Sequence, residues 1–447
     1  MKTRTTKTSS LHGTVHIPGD KSISHRVLLL SALAEGEATF TNLGTGADVR
    51  STAACLQQLG VDVVVDGSTA RVASKGMANL QSPSADLDCG NSGTSIRLLS
   101  GVVAGAQLAA TLVGDEGLSK RPMKRVLGPL SSMGAQAQGI DVDGKTTPPL
   151  TFTPSPLHGV DHVLPIASAQ VKSCCLLAGL FADGATTVVE PHLSRDHTER
   201  MLQSMGADLV VEGDGRIRLT PGQTLSPLAS GAVPGDPSSA AFFAVAASLV
   251  DEADVVLPHV DNNPTRAGYL KVLQRMGANV DVVAQPNAFG DEVCDLRIRA
   301  PKTGLQAATI AGADIPALVD EVPILAVLAT QADGVTEIRD AHELRVKECD
   351  RLAAMAEGLN ALGANVEELD DGLRITGPTP LHGGDVVSHG DHRIAISLTI
   401  AGLVADGDVV VDGAEWAGIS YPAFFDELRA LGAHCVDVKD DKDEDAT

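Results

Sequence analysis

Positive charge is scarce in this chain. Its 447 residues carry 34 Lys and Arg against 57 Asp and Glu, a formal net charge of −23. Nucleic acids and anionic membrane surfaces are bound through a basic footprint, so neither is expected as a partner. Long hydrophobic runs are missing too: no stretch approaches the ~18 uninterrupted apolar residues of a membrane span. The first ten residues contain no apolar core of a secretory signal, and a soluble, cytoplasmic protein is expected. The seven cysteines, Cys55, Cys89, Cys174, Cys175, Cys294, Cys349 and Cys435, show no CxxC or Cys/His metal spacing. They read as reduced, mostly buried thiols, and no metal site is expected. A P-loop, a dinucleotide glycine fingerprint in the right setting, HExxH and GxSxG are all absent, which argues against ATP hydrolysis, dinucleotide redox and serine hydrolysis.

What is present is a repeat. The phrase Leu-x-x-(Leu or Met)-Gly-(Ala or Val) recurs with its glycine at Gly60, Gly134, Gly206, Gly277, Gly363 and Gly432. Each copy closes a helical pattern, as at Arg200 to Met205, and opens an alternating one, as at Ala207 to Val211, so the glycine fits a helix C-cap. Six copies at this spacing imply six αβ units, too long for a small solenoid repeat. In step with them run Gly-, Ser- or Asp-bearing loops that open apolar helices: Gly19 to Ala34, Gly90 to Ala104, Ile166 to Leu180, Gly235 to Leu249, Asp314 to Ala329 and Gly390 to Val404. Most of these helices are apolar all round, as helices buried inside a domain are.

The length exceeds what one core usually supports, and six units divide as three and three. The Pro-, Gly- and Ser-rich stretch Pro221 to Gly235 is the expected linker. A second crossing is expected at Ile17-Pro18-Gly19, with a strand over Leu11 to Ile17 belonging to the C-terminal half. The expected α/β domains are therefore 19–232, and 1–18 with 233–447. Residues 1–10 and the acidic tail, 438–447, are expected to be disordered.

Against the acidic background, the basic residues gather at helix starts. Lys21 and Arg26 open the first buried helix, Arg97 the second, Lys172 the third and Arg393 the sixth. Lys120, Arg121, Lys124 and Arg125 crowd one loop, and Arg345, Lys347 and Arg351 another. A helix N-terminus already offers unpaired N–H groups and partial positive charge. Adding Lys and Arg there predicts binding of small, multiply anionic ligands with phosphate or carboxylate groups. The same loops hold Asp320 and Glu348, acids placed where neighbours could tune them for proton transfer.

Four motifs, Asp20-Lys-Ser-Ile-Ser-His-Arg26, Gly90-Asn-Ser-Gly-Thr-Ser-Ile-Arg97, Arg345-Val-Lys-Glu-Cys-Asp-Arg351 and Asp391-His-Arg393, together resemble the 5-enolpyruvylshikimate-3-phosphate synthase family. Ser168-Ala-Gln-Val-Lys-Ser173 and Ser420-Tyr-Pro422 extend the match, which runs from about Leu11 to Leu431. The resemblance implies an α/β (α+β) fold: a two-domain inside-out barrel of six βαβαββ units, three per domain, with pseudo-threefold symmetry. It also implies a 3-phosphoshikimate 1-carboxyvinyltransferase of the shikimate pathway, acting without metal or organic cofactor, expected as a monomer. Such an enzyme moves the enolpyruvyl group of phosphoenolpyruvate to the 5-hydroxyl of shikimate 3-phosphate and releases phosphate.

By motif position, Lys21, Ser22 and Arg26, with Ser168, Ala169 and Gln170, would bind shikimate 3-phosphate. Asn91, Gly93, Arg121, Arg351 and Arg393 would hold phosphoenolpyruvate, and Lys21 and Gln170 would touch both ligands. Asp320 and Lys347 would engage the reacting hydroxyl, with Asp320 as its base, and Glu348 would protonate the donor's methylene. Ser194 and Arg195 are further candidates for a substrate contact. Gly93 would leave room for glyphosate, which in this family occupies the donor site. Two departures stand out: Glu343 replaces an Asn of some members, and the loop Trp416 to Tyr421 lacks their Lys. Two alternatives are weighed. The sister UDP-N-acetylglucosamine enolpyruvyl transferases usually have Lys-Asn near the start and a reactive cysteine in the loop matching Leu118 to Arg125, which has none here. A noncatalytic anion-binding protein of the same fold is disfavoured by the intact acids and arginines.

Overall fold

A computed structural model describes residues 1–213 and 215–438. The chain forms two compact units. The N-terminal unit comprises Pro18–Pro234 with Pro286–Glu292, and the C-terminal unit comprises Met1–Ile17, Gly235–Gln285 and the chain from Val293 on. Each has its own hydrophobic core.

Twelve α-helices are described: α1 (Lys21–Leu33), α2 (Ala47–Gln58), α3 (Gly93–Gly105), α4 (Lys124–Ser132), α5 (Ala169–Gly179), α6 (His197–Ser204), α7 (Pro237–Leu249), α8 (Gly268–Arg275), α9 (Val322–Thr330), α10 (Arg351–Ala361), α11 (His392–Gly402) and α12 (Phe424–Ala430). The odd-numbered helices are the apolar ones, and Ala240 to Ala247 of α7 are all buried, as an all-round apolar surface requires. No helix among the described residues is long and apolar enough to cross a membrane.

The repeated phrase has a single physical cause. All six of its glycines have positive φ, from +86° at Gly206 to +112° at Gly432. Around Gly60 the glycine N–H donates to Gln57 O at 3.0 Å and the Val61 N–H to Leu56 O at 3.1 Å, and the same pair of bonds closes the other five even-numbered helices. That is a Schellman motif, in which the phrase's first Leu and last Ala or Val make the accompanying apolar contact while the glycine supplies the left-handed turn. The leading leucines, Leu56, Leu130, Leu202, Leu273, Leu359 and Leu428, are fully buried.

Six four-stranded sheets share one order, in which a parallel pair is followed by two antiparallel partners. In one, Leu87–Asp88 runs parallel to Ala110–Val113, which pairs antiparallel with Lys145–Thr153, itself antiparallel to Gln136–Val142. Three sheets borrow a strand from a distant part of the chain. Gly231–Ala232 joins Glu35–Thr41 in the first sheet of the N-terminal unit. Ser10–Thr14, which overlaps the strand expected over Leu11 to Ile17, pairs parallel to Glu252–Asp261.

The third borrowed strand corrects an expectation. Residues 1–10, expected to be disordered, include the strand Lys2–Thr5, which pairs antiparallel with both Asp406–Asp412 and Cys435–Val438. Thr3 and Thr5 face inward and are fully buried while Arg4 is exposed. A polar stretch thus forms a strand because its β-branched threonines fit the covered face. Asp437 and Val438 likewise sit in a strand, and residues 439–447 of the expected acidic tail lie outside the described residues.

Candidate functional site

In the N-terminal unit the functional side chains are placed by the starts of α1, α3 and α5. Asp20 caps α1, accepting from the Ile23 N–H at 2.7 Å, and so sets Lys21 and Ser22 in the first turn. Lys21 reaches Asp48 at 2.9 Å. One turn on, Arg26 is only 3% exposed yet contacts no acid. It donates to Thr198 Oγ1 (2.7 Å), Ser173 Oγ (3.0 Å) and the Ser22 carbonyl (3.0 Å). Burial lowers its guanidinium from the usual range to about 10, since a charge held by neutral partners is poorly solvated. Ser168 caps α5, its hydroxyl accepting from the Val171 N–H at 3.4 Å. Ala169 and Gln170 then form the first turn.

A second group adjoins it. Helices α3 and α5 pack so closely that a Cβ on Gly101 would lie 2.4 Å from the Cys174 carbonyl. This approach brings Arg97 of α3 onto Gln170 Oε1, while Gln170 Nε2 donates to Thr94 Oγ1 at 3.0 Å. Burial, followed by the like charges of Arg125 and Arg121, lowers Arg97 to about 10. Arg121 donates to Asn91 Oδ1 at 2.5 Å, and Asn91 in turn holds Asp115 at 2.8 Å. Gly93 opens α3 directly beneath these arginines: a Cβ there would stand 3.0 Å from Arg97 Nη1 and 3.1 Å from Arg121 Nη1. Among the described residues, Arg26, Arg97, Arg121 and Arg125 form no ion pair within 4 Å. Arg97 and Arg121, converging on Gly93 at a serine-capped helix start, are suited to a small anion.

The C-terminal unit holds a cluster of different character, organised by Arg351 at the start of α10. Its side chain is 2% exposed and donates to three acids: Asp391 at 2.7 Å, Asp320 at 3.3 Å and Glu348 at 2.6 Å. Burial opposes its charge, but these carboxylates, Asp391 foremost, raise its pKa above the usual range. Asp391 also caps α11, accepting from the Arg393 N–H at 2.7 Å. Burial works against its charge too, yet Arg351 holds its carboxyl below the usual range. Lys347 pairs with Glu343 and lies 3.6 Å from Asp320. Arg393 donates to the Asp320 carbonyl at 2.8 Å and sits 3.4 Å from Glu321. Burial raises the Glu321 carboxyl, with Arg393 only partly opposing, and its oxygen accepts from Ser238 Oγ. Glu348, by contrast, is 50% exposed.

The expected residues therefore fall into two groups, one in each unit. Several cations expected at anion sites are paired with acids. Lys172 is buried between Glu190 (2.8 Å) and Glu199 (2.7 Å), Lys120 pairs with Glu116 at 2.6 Å, and Arg345 is bound to Asp350 (2.7 Å) and Glu368 (2.9 Å). Each is neutralised where it stands. Conversely, the sequence reading placed Arg97 among the anion-binding residues at helix starts without a specific ligand, and assigned no role to Glu321 or to Asp391. Asp391 carried a signal, an acid immediately before a helix whose next residues are basic; Glu321 adjoins Asp320 and carried none of its own.

Comparison with known proteins shows the family. The family model described as EPSP synthase (3-phosphoshikimate 1-carboxyvinyltransferase) matches residues 5–428. A 3-phosphoshikimate 1-carboxyvinyltransferase of Bacillus cereus (strain G9842) is 45% identical over 433 residues, covering 96% of this chain and 100% of that protein. One of Bacillus thuringiensis subsp. konkukian (strain 97-27) is 46% identical over the same length and coverage. Among solved structures, EPSP synthase from Acinetobacter baumannii superposes with a TM-score of 0.91 at 38% identity, covering 98% of this chain and 100% of that one.

Proposed function

The chain belongs to the EPSP synthase family, and from that premise we propose that it transfers the enolpyruvyl group of phosphoenolpyruvate to the 5-hydroxyl of shikimate 3-phosphate, releasing phosphate. The reaction adds the hydroxyl across the donor's double bond and then eliminates phosphate. Glu348 gives a proton to the methylene carbon while Asp320, with Lys347 beside it, takes the proton of the attacking hydroxyl. The resulting tetrahedral adduct loses the added proton and expels phosphate. Glu348 recovers at elimination the proton it gave at addition, and the hydroxyl proton taken by Asp320 passes on to the leaving phosphate or to solvent.

Lys21, Ser22, Arg26, Ser168, Ala169 and Gln170 bind the acceptor, and Asn91, Gly93, Arg121, Arg351 and Arg393 hold the donor. Three of the five guanidinium N–H groups of Arg351 are engaged with carboxylates, which leaves two for a ligand carboxylate or phosphate. Arginines already in place when charge develops lower the barrier without reorganising. The observation that carries the reading is the single buried guanidinium of Arg351 holding both proposed proton-transfer groups, Asp320 and Glu348. The protein is proposed to work as a cytoplasmic monomer.

A phosphate-release assay with phosphoenolpyruvate tests the reaction. Release that requires shikimate 3-phosphate is expected. Release driven instead by UDP-N-acetylglucosamine would assign the chain to the sister class, and no release with either acceptor would leave an anion-binding protein.

A further inference from the structure

Beneath the proposed acceptor site lies a buried ionic cluster to which the reaction gives no role. Lys172 on α5 is 1% exposed and lies 2.8 Å from Glu190 and 2.7 Å from Glu199, whose side chains are 0% and 3% exposed. Glu190 follows the strand Thr186–Val189, where a carboxylate is out of keeping with its apolar neighbours. Its two oxygens are fully engaged. Oε1 accepts from the Ser168 N–H at 2.9 Å and both oxygens accept from the Ser194 hydroxyl, at 2.7 and 2.8 Å; the Ser194 N–H also donates to Oε2, at 3.3 Å. One carboxylate therefore joins the segment that opens α5 to the loop that carries Ser194.

The other end of the cluster reaches the same place by a second route. Glu199 lies in the first turn of α6, next to Thr198, whose hydroxyl meets both Arg26 Nε and Ser173 Oγ at 2.7 Å. Lys172 connects the two ends. Lys172 lies between the two carboxylates and burial raises that of Glu199, so the buried layer behind the site carries little negative charge to repel a phosphate. Charge-assisted bonds to a carboxylate are also stronger and geometrically stricter than bonds between neutral groups.

We infer that Glu190 is a positioning residue for acceptor recognition: held by Lys172, it fixes the spacing of Ser168 and Ser194 so that both segments meet the phosphate of shikimate 3-phosphate together. The inference rests on the reading of the reaction given above. It also gives the segment His192-Leu-Ser-Arg-Asp196 a function through Ser194.

Steady-state kinetics of Glu190→Gln, with each substrate varied in turn, test it. The amide keeps the shape but cannot accept along both oxygens. The Michaelis constant for shikimate 3-phosphate is expected to rise by about tenfold, the scale of one or two charge-assisted hydrogen bonds. Turnover at saturating acceptor and the constant for phosphoenolpyruvate should stay within about twofold. A merely structural role would instead lower turnover and affect both substrates alike, and that result, like an unchanged acceptor constant, would overturn the inference. Because removing a buried charge can prevent folding, Ser194→Ala is the second variant. It deletes the hydroxyl partner at a half-buried position and should raise the acceptor constant by at least threefold; no rise would equally overturn the inference. Wild-type protein is run alongside. If it releases no phosphate, the reading of the reaction has failed; if it is active and neither variant shifts the acceptor constant, only the role of Glu190 has.

Discussion

At their candidate sites the two units use arginine in opposite ways. In the N-terminal unit Arg26, Arg97 and Arg121 have neutral partners: Thr198, Ser173, Gln170 and Asn91. In the C-terminal unit Arg351 and Arg393 are bound to Asp391, Asp320, Glu348 and Glu321. The helix caps follow this division in part. Ser92 and Ser168 cap α3 and α5 in the first, where Asp20 caps α1, while Asp236, Asp350 and Asp391 cap α7, α10 and α11 in the second. Serine leaves the positive end of a helix available to an outside anion, whereas aspartate already answers it. The difference separates two tasks: a poorly compensated cation gains most from binding an anion, and an acid beside a fixed cation is placed to move protons.

The largest effect that would break this comparison concerns stability. Arg351→Ala strands Asp391, which has a fully buried side chain, and should cost about 3–5 kcal/mol of unfolding free energy in a urea titration. Arg26→Ala, which orphans no acid, should cost clearly less. Equal losses would mean that the two units do not differ in the way described.

Next come the proton-transfer groups. Asp320→Asn and Glu348→Gln should each cut turnover by roughly 10²-fold, the usual scale for general acid–base groups, as read by phosphate release. Near-normal turnover in either would remove that residue from its assigned role.

A smaller effect sharpens the description of the anion site. Gly93→Ala places a methyl group 3.0–3.1 Å from Arg97 and Arg121, so one guanidinium must shift by a few tenths of an ångström. Titrating glyphosate at fixed phosphoenolpyruvate should show a sensitive wild type. In Gly93→Ala the inhibition constant should rise far more than the Michaelis constant for the donor, because overpacking penalises the longer ligand. Equal inhibition of both proteins would place the inhibitor elsewhere.

A further effect is one the units share. Each keeps a neutral imidazole near its arginines: burial, with help from Lys21, lowers His25 to about 3, and burial, with help from Arg393, lowers His392 to about 4. Unfolded, both take up a proton near pH 6.5. Between those values the unfolded chain binds more protons, so stability present above pH 6.5 is lost as pH falls towards 3 to 4. The melting temperature should decline from pH 6.5 to pH 4, and His25→Gln should flatten that decline. An equal slope in the variant would exclude His25 as a source.

Much of this was legible in the sequence for identifiable reasons. The Schellman glycines recur because a left-handed residue is needed at the same point of six units, and a backbone requirement leaves a residue-level trace. Asp320, Glu348 and the arginines stood out because charge at a helix start is conspicuous in a chain this acidic. The ordered N-terminal strand was hidden because Thr3 and Thr5 satisfy a sheet without being apolar. Lys172 and Arg345 misled because local sequence cannot show a partner such as Glu190, 18 residues away, or Glu368, 23 residues away. Pairing is a property of the fold.

The division of labour is tested most directly by measuring shikimate 3-phosphate binding calorimetrically alongside turnover in Glu348→Gln and Arg26→Ala. Glu348→Gln should bind the acceptor within about threefold of wild type while turning over roughly 10²-fold more slowly. Arg26→Ala should bind it about 10- to 100-fold more weakly, through lost charge-assisted hydrogen bonds, yet keep most of its turnover at saturation. Binding and turnover falling in the same proportion in both variants would contradict the account.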